Sequence, residues 1–397
     1  MTAGAERDQA IARSLCAWFE ASARDLPWRR TRDPYAIWLS EIMLQQTRVD
    51  TVVPYYERFL WRYPDADSLA RAEVDDVLSM WSGLGYYRRA RELHAAAREV
   101  VERYGGKLPS EASELRKLPG IGAYTAGAIS SIAFGRAEAL VDGNVARVLS
   151  RIEGIEDDVR SVAGGKRLWA TAARLVPADK PGMFNESLME LGATICTPRD
   201  PACGACPVRF ACEAARTGRQ NELPVVRARA KVPVVKMVAA VVRHGREVLF
   251  ARRAEGGLFG GLWEAPMVEA GSLAAAGEAL RGAGIEQEVQ AALRKLGKVR
   301  HILSHRELDV LVAGAEARSR YEVPALSTAP YERAAWLDPD AAGVGISTLA
   351  RKVLEAAPAD PPRPARGGRT ASGAASTREI GGGKGSGRKK RRAGRGD

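Results

Sequence analysis

No run of eighteen consecutive apolar residues occurs in the sequence, and its opening Met-Thr-Ala-Gly-Ala-Glu-Arg-Asp lacks the apolar core of a signal peptide. A membrane span and an export signal are therefore not expected; a soluble, cytoplasmic protein in a reducing compartment is. Cysteine is scarce, five in 397 residues, and without an export signal these thiols do not read as a disulfide framework. No internal repeat is evident, so the chain is not a repeat array. Positive charge is short where the pI of about 9.6 suggests plenty. Residues 359–397 hold 11 Lys or Arg and 3 Asp or Glu, which is +8 of the net +12 and leaves 12 − 8 = +4 for residues 1–358. Bulk basicity thus does not mark a nucleic-acid groove in the body of the protein. The length predicts two or three domains with substantial cores.

Four of the five cysteines, Cys196, Cys203, Cys206 and Cys212, fall within 17 residues. Thiolates at that density can hold tetrahedral zinc or an iron–sulfur cluster, and spacing alone leaves both open. Cys16 stands apart and reads as a small buried apolar residue. Upstream, Leu118-Pro-Gly-Ile-Gly122 ends one helix, because proline and two glycines stop a helix without strain. From Tyr124 a second, closely packed helix follows. Such a turn aims backbone N–H groups outward, a seat for phosphate. Asp142 precedes Gly143-Asn144 and an apolar-periodic helix, and by itself it reads first as an N-cap.

Glu41 lies in a helix predicted over Ala36–Val49 after the start signal Asp33-Pro34-Tyr35. The bland reading is an exposed glutamate. It is the only acid between Asp33 and Asp50, however, among Trp38, Ile42 and Leu44. A carboxyl among such neighbours prefers its neutral form, which a general acid at neutral pH requires. In Trp81–Arg91, Gly83 and Gly85 punctuate a turn where Tyr86 and Tyr87 meet Arg88, Arg89 and Arg91. One tyrosine is expected inside and one presented, with solvated arginines holding phosphates. Residues 153–195 are helical and return toward the first segment. Thr217–Pro233 reads as a linker, and past it the pattern turns to strands: Val234–Arg243 and Glu247–Arg252 around a hairpin at His244-Gly-Arg246, then Lys298–Ser304 and Glu307–Val312. Helices fit 272–283 and Ser347–Glu355. The Gly-, Pro- and Arg-rich tail, with Arg388-Lys-Lys-Arg-Arg392, cannot form a core.

Ser40-Glu-Ile-Met-Leu-Gln-Gln-Thr47, Gly83-Leu-Gly-Tyr-Tyr87, Leu118–Ile129 with Asp142, and Cys-x6-Cys-x2-Cys-x5-Cys stand in the order and spacing of one known group. Together they resemble the helix–hairpin–helix Gly-Pro-Asp DNA glycosylases, and within them the MutY branch of adenine DNA glycosylases, over roughly residues 10–355. The resemblance implies a multidomain fold. Residues 1–218 would be an all-α glycosylase core with a [4Fe–4S] loop: a six-helix module with the hairpin over 31–129, and a cluster module from 1–30 plus 130–218. A linker over 219–233, an α+β Nudix-like 8-oxoguanine recognition domain over 234–357 and a disordered basic tail over 358–397 would follow. Nothing between 256 and 290 supplies the clustered acids of a working Nudix hydrolase, so that domain reads as a binding module.

The same resemblance implies excision of adenine opposite 8-oxoguanine or guanine in double-stranded DNA, by a monomer with a [4Fe–4S] cluster. Glu41 and Asp142 would be catalytic, with Tyr124 and Asn144 beside the reacting sugar. Trp28, Arg29, Leu44 and Glu186 would line the adenine pocket. Gln46, Tyr86, Arg88, Gly120, Gly122, Leu303, Ser304 and His305 would touch DNA, and the four clustered cysteines would be metal ligands. Endonuclease III carries a strand-cutting lysine where Tyr124 stands, so a monofunctional enzyme is implied. The family's Phe-Ser-His appears here as Leu303-Ser304-His305, without the aromatic. The alternatives are a thymine or uracil mismatch glycosylase of the same superfamily and a nonenzymatic DNA-binding homologue.

Overall fold

Apolar residues at helical spacing dominate the first 217 positions, and β-branched runs dominate after 233; the structure follows that division. It is a computed structural model that describes residues 3–227, 232–323, 326, 330–341 and 343–358. The tail beyond Pro358, expected to be disordered, and residues 228–231 of the linker lie outside the described residues.

Twelve α-helices form the first part: α1 (Ala3–Ser22), α2 (Pro34–Leu44), α3 (Val49–Arg62), α4 (Ala66–Ala70), α5 (Val74–Met80), α6 (Arg88–Tyr104), α7 (Ala112–Leu115), α8 (Ala123–Phe134), α9 (Gly143–Glu153), α10 (Val162–Leu175), α11 (Pro181–Thr194) and α12 (Glu213–Thr217). They enclose two cores. One gathers Trp38, Phe59 and Trp81 from α2 to α8, and the other Ile11, Phe184 and Leu188 from α1 and α8 to α11. Helices α2 and α8 serve both, since Ile37 and Trp38, and likewise Ala128 and Ile129, point to opposite cores. A helix apolar all round has no solvent face, which is why a glutamate on α2 ends up buried.

The helix expected over 36–49 is two helices. Arg89 causes the break: its Nη1 donates to the carbonyls of Ile42 (2.8 Å), Met43 (2.8 Å) and Gln45 (2.6 Å), ending the ladder of α2 there. This arginine, expected in solvent, is buried because those carbonyls at a helix C-terminus give its charge partners. Residues 219–227 are likewise more than linker. Leu223 is buried, its carbonyl accepts Arg151 Nε at 2.9 Å, and Val225 accepts from Val159 N–H at 3.2 Å.

The second part comprises β1 (Val234–His244), β2 (Glu247–Arg253), β3 (Trp263–Glu264), β4 (Met267–Glu269), α13 (Gly277–Gly282), α14 (Gln287–Ala292), β5 (Arg294–Ile302), β6 (Glu307–Glu316), β7 (Tyr331–Leu337) and α15 (Thr348–Glu355). The mixed sheet has the order β3-β2-β1-β6-β5, with β4 also on β1 and β7 on β2; β1 and β6 run parallel. Helix α15 covers one face and α13 with α14 the other. The helix expected over 272–283 is the shorter α13, preceded by turns at Ser272–Ala276. Strand β5 stops at Ile302, not Ser304, because Leu303 N–H donates to Arg306 O at 2.8 Å and closes a tight turn with Ser304 and His305 exposed at its tip. The two parts share packing. Leu262, from the loop before β3, is buried in the first helical core with Phe259 against it, and Asp75 of α5 pairs with Arg252 at 2.9 Å.

Candidate active site

A cavity of about 680 Å³ opens between the two helical cores. Its walls include Trp28, Arg29, Glu41, Leu44, Gln46, Gly120, Gly122, Tyr124, Asp142, Asn144 and Glu186. The fold thus brings together residues that are scattered over 159 positions in the sequence (186 − 28 + 1).

Glu41 projects from α2 into this cavity with only 4 % of its surface exposed. Its Oε2 accepts the Tyr124 hydroxyl, from the first turn of α8, at 2.6 Å. Burial pushes its pKa from 4.5 up to about 7; the Tyr124 hydrogen bond opposes the shift, and the Asp142 and Glu186 carboxylates add to it. Near neutral pH the group is therefore split between acid and carboxylate. Tyr124 is itself driven well above 10, by burial and then by Glu41, so it remains a proton donor.

Asp142 meets a different environment. It is the N-cap of α9, accepting from Val145 N–H at 2.7 Å through Oδ1 and from Asn144 Nδ2 at 3.2 Å through Oδ2. Burial prevails and leaves its pKa raised, although those two hydrogen bonds and the nearby Arg147 hold the rise back. The helix N-terminus further favours a negative charge there. Cap and candidate catalyst are thus one residue. Asn144 is oriented in turn by Arg147 Nη2 (2.9 Å), which also reaches the Gly192 carbonyl (2.7 Å). Gly192 has to be glycine: a Cβ would sit 2.7 Å from the Cβ of Asn144, so α11 could not approach α9.

Glu190 was not foreseen. It is buried on α11, one turn past Glu186, and takes Arg24 (2.7 and 2.8 Å) and Arg29 (2.8 Å). Burial alone would raise it, yet the two arginines hold it down at about 2. Glu186 pairs with Arg32 at 3.0 Å. The spacing Glu186-x3-Glu190 marks one helical face, but no sequence signal joins it to arginines more than 150 positions away.

Outside the cavity, Tyr86 and Tyr87 divide as expected: Tyr87 is buried and Tyr86 is 53 % exposed. Tyr86 (φ 49°) and Gln46 (φ 56°) both hold left-handed backbone, rare for residues with a side chain. Arg89 braces both turns, through the Gln45 carbonyl and the Thr47 hydroxyl on either side of Gln46 and through Leu84 O and Gly85 O. Burial pulls its pKa to about 10, which leaves it charged at neutral pH. Arg88 is exposed beside Glu92. The structure places Leu303, Ser304 and His305 in the second part, away from the cavity lining.

Cys196, Cys203, Cys206 and Cys212 are free thiols that line one small pocket. Among the described residues no three such groups converge to hold a single metal ion. Four thiols are nevertheless a donor set that fits either a tetrahedral zinc or an iron–sulfur cluster taking one thiolate per iron. Burial above all, with a smaller contribution from the neighbouring thiols, pushes Cys206 up to about 11. Arg151 Nη1 donates to Cys196 Sγ at 3.2 Å.

Comparison with known proteins agrees with this geometry. Residues 39–170 match the model of the HhH-GPD superfamily base excision DNA repair proteins, and residues 237–356 match a NUDIX domain. The chain is 37 % identical over 404 residues to the human adenine DNA glycosylase, covering 86 % of this chain and 72 % of that one. It is 40 % identical over 304 residues to the adenine DNA glycosylase of Arabidopsis thaliana, covering 66 % and 48 %. A solved thermostable thymine-DNA glycosylase superposes with a TM-score of 0.50 at 32 % identity, covering 54 % of this chain and all of that one. Both adenine DNA glycosylases match more of this chain than that structure does. With a buried glutamate and an N-capping aspartate in one cavity of the helical part, the chain belongs to the adenine DNA glycosylases, the N-glycosyl hydrolases of base excision repair.

Proposed function

We propose that the enzyme removes adenine paired with 8-oxoguanine, or with guanine, by acid-assisted hydrolysis of the N-glycosidic bond, and leaves the strand uncut. One observation carries this reading: Glu41 is buried, bonded to Tyr124 and poised at about 7. Adenine is a poor leaving group until its N7 is protonated, and a group with that pKa is the general acid the step needs. A pair of carboxyls, one acting as acid and one as carboxylate, recurs in glycoside cleavage.

The adenine leaves the duplex at a cost of roughly a few kcal/mol, offset by cavity contacts from Trp28, Arg29, Leu44 and Glu186. Glu41 gives its proton to N7. Asp142, as its carboxylate, faces the sugar carbon and stabilises its positive charge, with Tyr124 and Asn144 alongside. Water then completes an abasic site. Tyr124 has no amine and forms no Schiff base, which supports a glycosylase without lyase activity. Gln46 and Tyr86 probe the stack near the orphaned base, and Arg88 with the hairpin N–H groups around Gly120 and Gly122 holds phosphate. Leu303, Ser304 and His305 read the partner base.

Cys196, Cys203, Cys206 and Cys212 hold a [4Fe–4S] cluster, which when bound supplies the iron–thiolate bonds that order their loop. Its pocket shares no lining residue with the adenine cavity. The ordered loop carries Arg199 and Arg209 on its surface, suited to phosphate contacts. Incubation with labelled duplexes holding A:8-oxoG, A:G, T:G and U:G tests the reading. Excision of adenine from the first two is expected, and thymine or uracil release would overturn it.

A further inference from the structure

The turn that presents Tyr86 is fastened to the second part of the protein. Within the helical part, Tyr55 Oη donates to Ser82 O at 2.7 Å and Trp81 Nε1 to Gly85 O at 3.1 Å. Further bonds cross over. Tyr87 Oη donates to the carbonyl of Ile346 at 2.7 Å, and Ser82 Oγ donates to the same carbonyl at 3.2 Å. Arg351 Nη2 donates to Ser82 Oγ at 2.9 Å, and Arg91 donates to Gly260 O. The two hydroxyls therefore flank Tyr86 on the sequence and converge on one acceptor.

Ile346 is no loose acceptor. It forms a parallel bridge with Trp263 and is buried in the core that also holds Leu349, Val299 and Leu308. Leu303, first residue of the turn between β5 and β6, packs against that same core. Close-packed cores shift as units. A displacement at the Leu303–Arg306 turn thus has a packed route to the Ile346 carbonyl, and from there two hydrogen bonds to the side chains of Ser82 and Tyr87, which bracket Tyr86.

We propose that Tyr87 and Ser82 form a latch through which the second part positions the Tyr86 wedge, so that part of the preference for one partner base is exercised by wedge placement. Tyr87 is then a positioning residue. The proposal rests on the reading above, in which Tyr86 enters the stack and the Leu303–His305 turn meets the partner base. With 8-oxoguanine the turn gains contacts and the latch passes the gain on; with guanine there is little to pass.

The test uses the full chain with Tyr87→Phe, which keeps the ring and removes the hydroxyl, and Ser82→Ala, which removes the second arm from a half-buried site. Two readouts are taken on each. The first is fluorescence of 2-aminopurine beside the partner base, which rises when a wedge unstacks it. The second is single-turnover excision from A:8-oxoG and A:G. A hydrogen bond of ordinary net worth corresponds to about a threefold to tenfold effect. Tyr87→Phe should lower the fluorescence rise and slow A:8-oxoG excision by that factor, while A:G stays within about twofold of the parent. Ser82→Ala should act in the same direction, more weakly. Equal losses on both substrates, or an unchanged fluorescence rise in both variants, would overturn the latch. A parent that excises equally from both duplexes would instead overturn the partner-base reading, and the fluorescence arm alone would then decide the latch.

Discussion

Removing the Tyr124 hydroxyl should move the acid limb of the reaction upward in pH. Tyr124 Oη donates to Glu41 Oε2 at 2.6 Å, and that bond favours the carboxylate. It is the main force restraining the rise that burial imposes on Glu41, which stops at about 7. A hydrogen bond to a charged group is worth about 1.5–3 kcal/mol net, and about 1.4 kcal/mol corresponds to one pH unit. Tyr124→Phe should therefore carry the Glu41 pKa from about 7 to roughly 8–9. Single-turnover excision from an A:G duplex, measured from pH 5 to 9.5, reads the change directly. If the neutral acid is required, the parent at pH 8 keeps about one tenth of its low-pH rate, whereas the variant keeps about half or more of its own. The plateau itself is free to fall, because the phenol also faces the sugar site; the position of the limb is the readout. A limb that stays near 7, or moves down, would show that Glu41 is not the acid or that the hydrogen bond does not govern it.

Glu41→Gln should bind the mismatch and lose excision by about 10²–10⁴-fold, checked by gel shift and single-turnover assay. It should also change the stability profile. The folded value of about 7 lies above the ordinary 4.5, so stability falls as pH rises between those values and the deficit, about 3 kcal/mol, is complete above pH 7. Melting at pH 8 against pH 5 should favour the glutamine variant by a margin that grows with pH. Ser304→Ala with His305→Ala should cut the preference for A:8-oxoG over A:G by about ten- to a hundredfold, leaving A:G excision nearly unchanged. Purified protein should be yellow-brown with iron and acid-labile sulfide; stoichiometric zinc and no visible absorption would reverse the ligand assignment. Deleting residues 359–397 should flatten the salt dependence of nonspecific DNA binding, each lost phosphate contact removing a slope of roughly 0.9, while excision persists.

What was readable in the sequence was what local spacing encodes. Glu41 stood out as one acid in an apolar helix, and Asp142 had the signature of an N-cap. The Tyr86 and Tyr87 pair divided between surface and core as the turn glycines implied. What was unreadable depended on pairs distant in sequence. Glu190 is fixed by Arg24 and Arg29, and no periodicity connects α11 to the segment before α2. Arg89 read as solvated because charge after a turn is usually exposed; its burial follows from carbonyls that become free only where α2 ends. The β-branched runs of β1 and β2 announced strands, but the stop of β5 at Ile302 depends on a bond between Leu303 and Arg306.

The packing of Leu262 has a bearing on how this protein can be taken apart. The two family matches meet across residues 171–236, an inviting place to cut. Yet a fragment ending near residue 218 would vacate the socket that Leu262 fills among helical side chains, with Phe259 gone from its rim. It would also leave Asp75 without Arg252 and the Tyr87 hydroxyl without its acceptor. Burying one large apolar side chain contributes about 1.5–3 kcal/mol, a sizeable share of the 5–15 kcal/mol that typically separates folded from unfolded protein. The truncated piece would present a sticky scar and a weakened helical core. Lost activity in it would report on solubility and folding as much as on partner-base reading, so point substitutions in the intact chain are the cleaner dissecting tool.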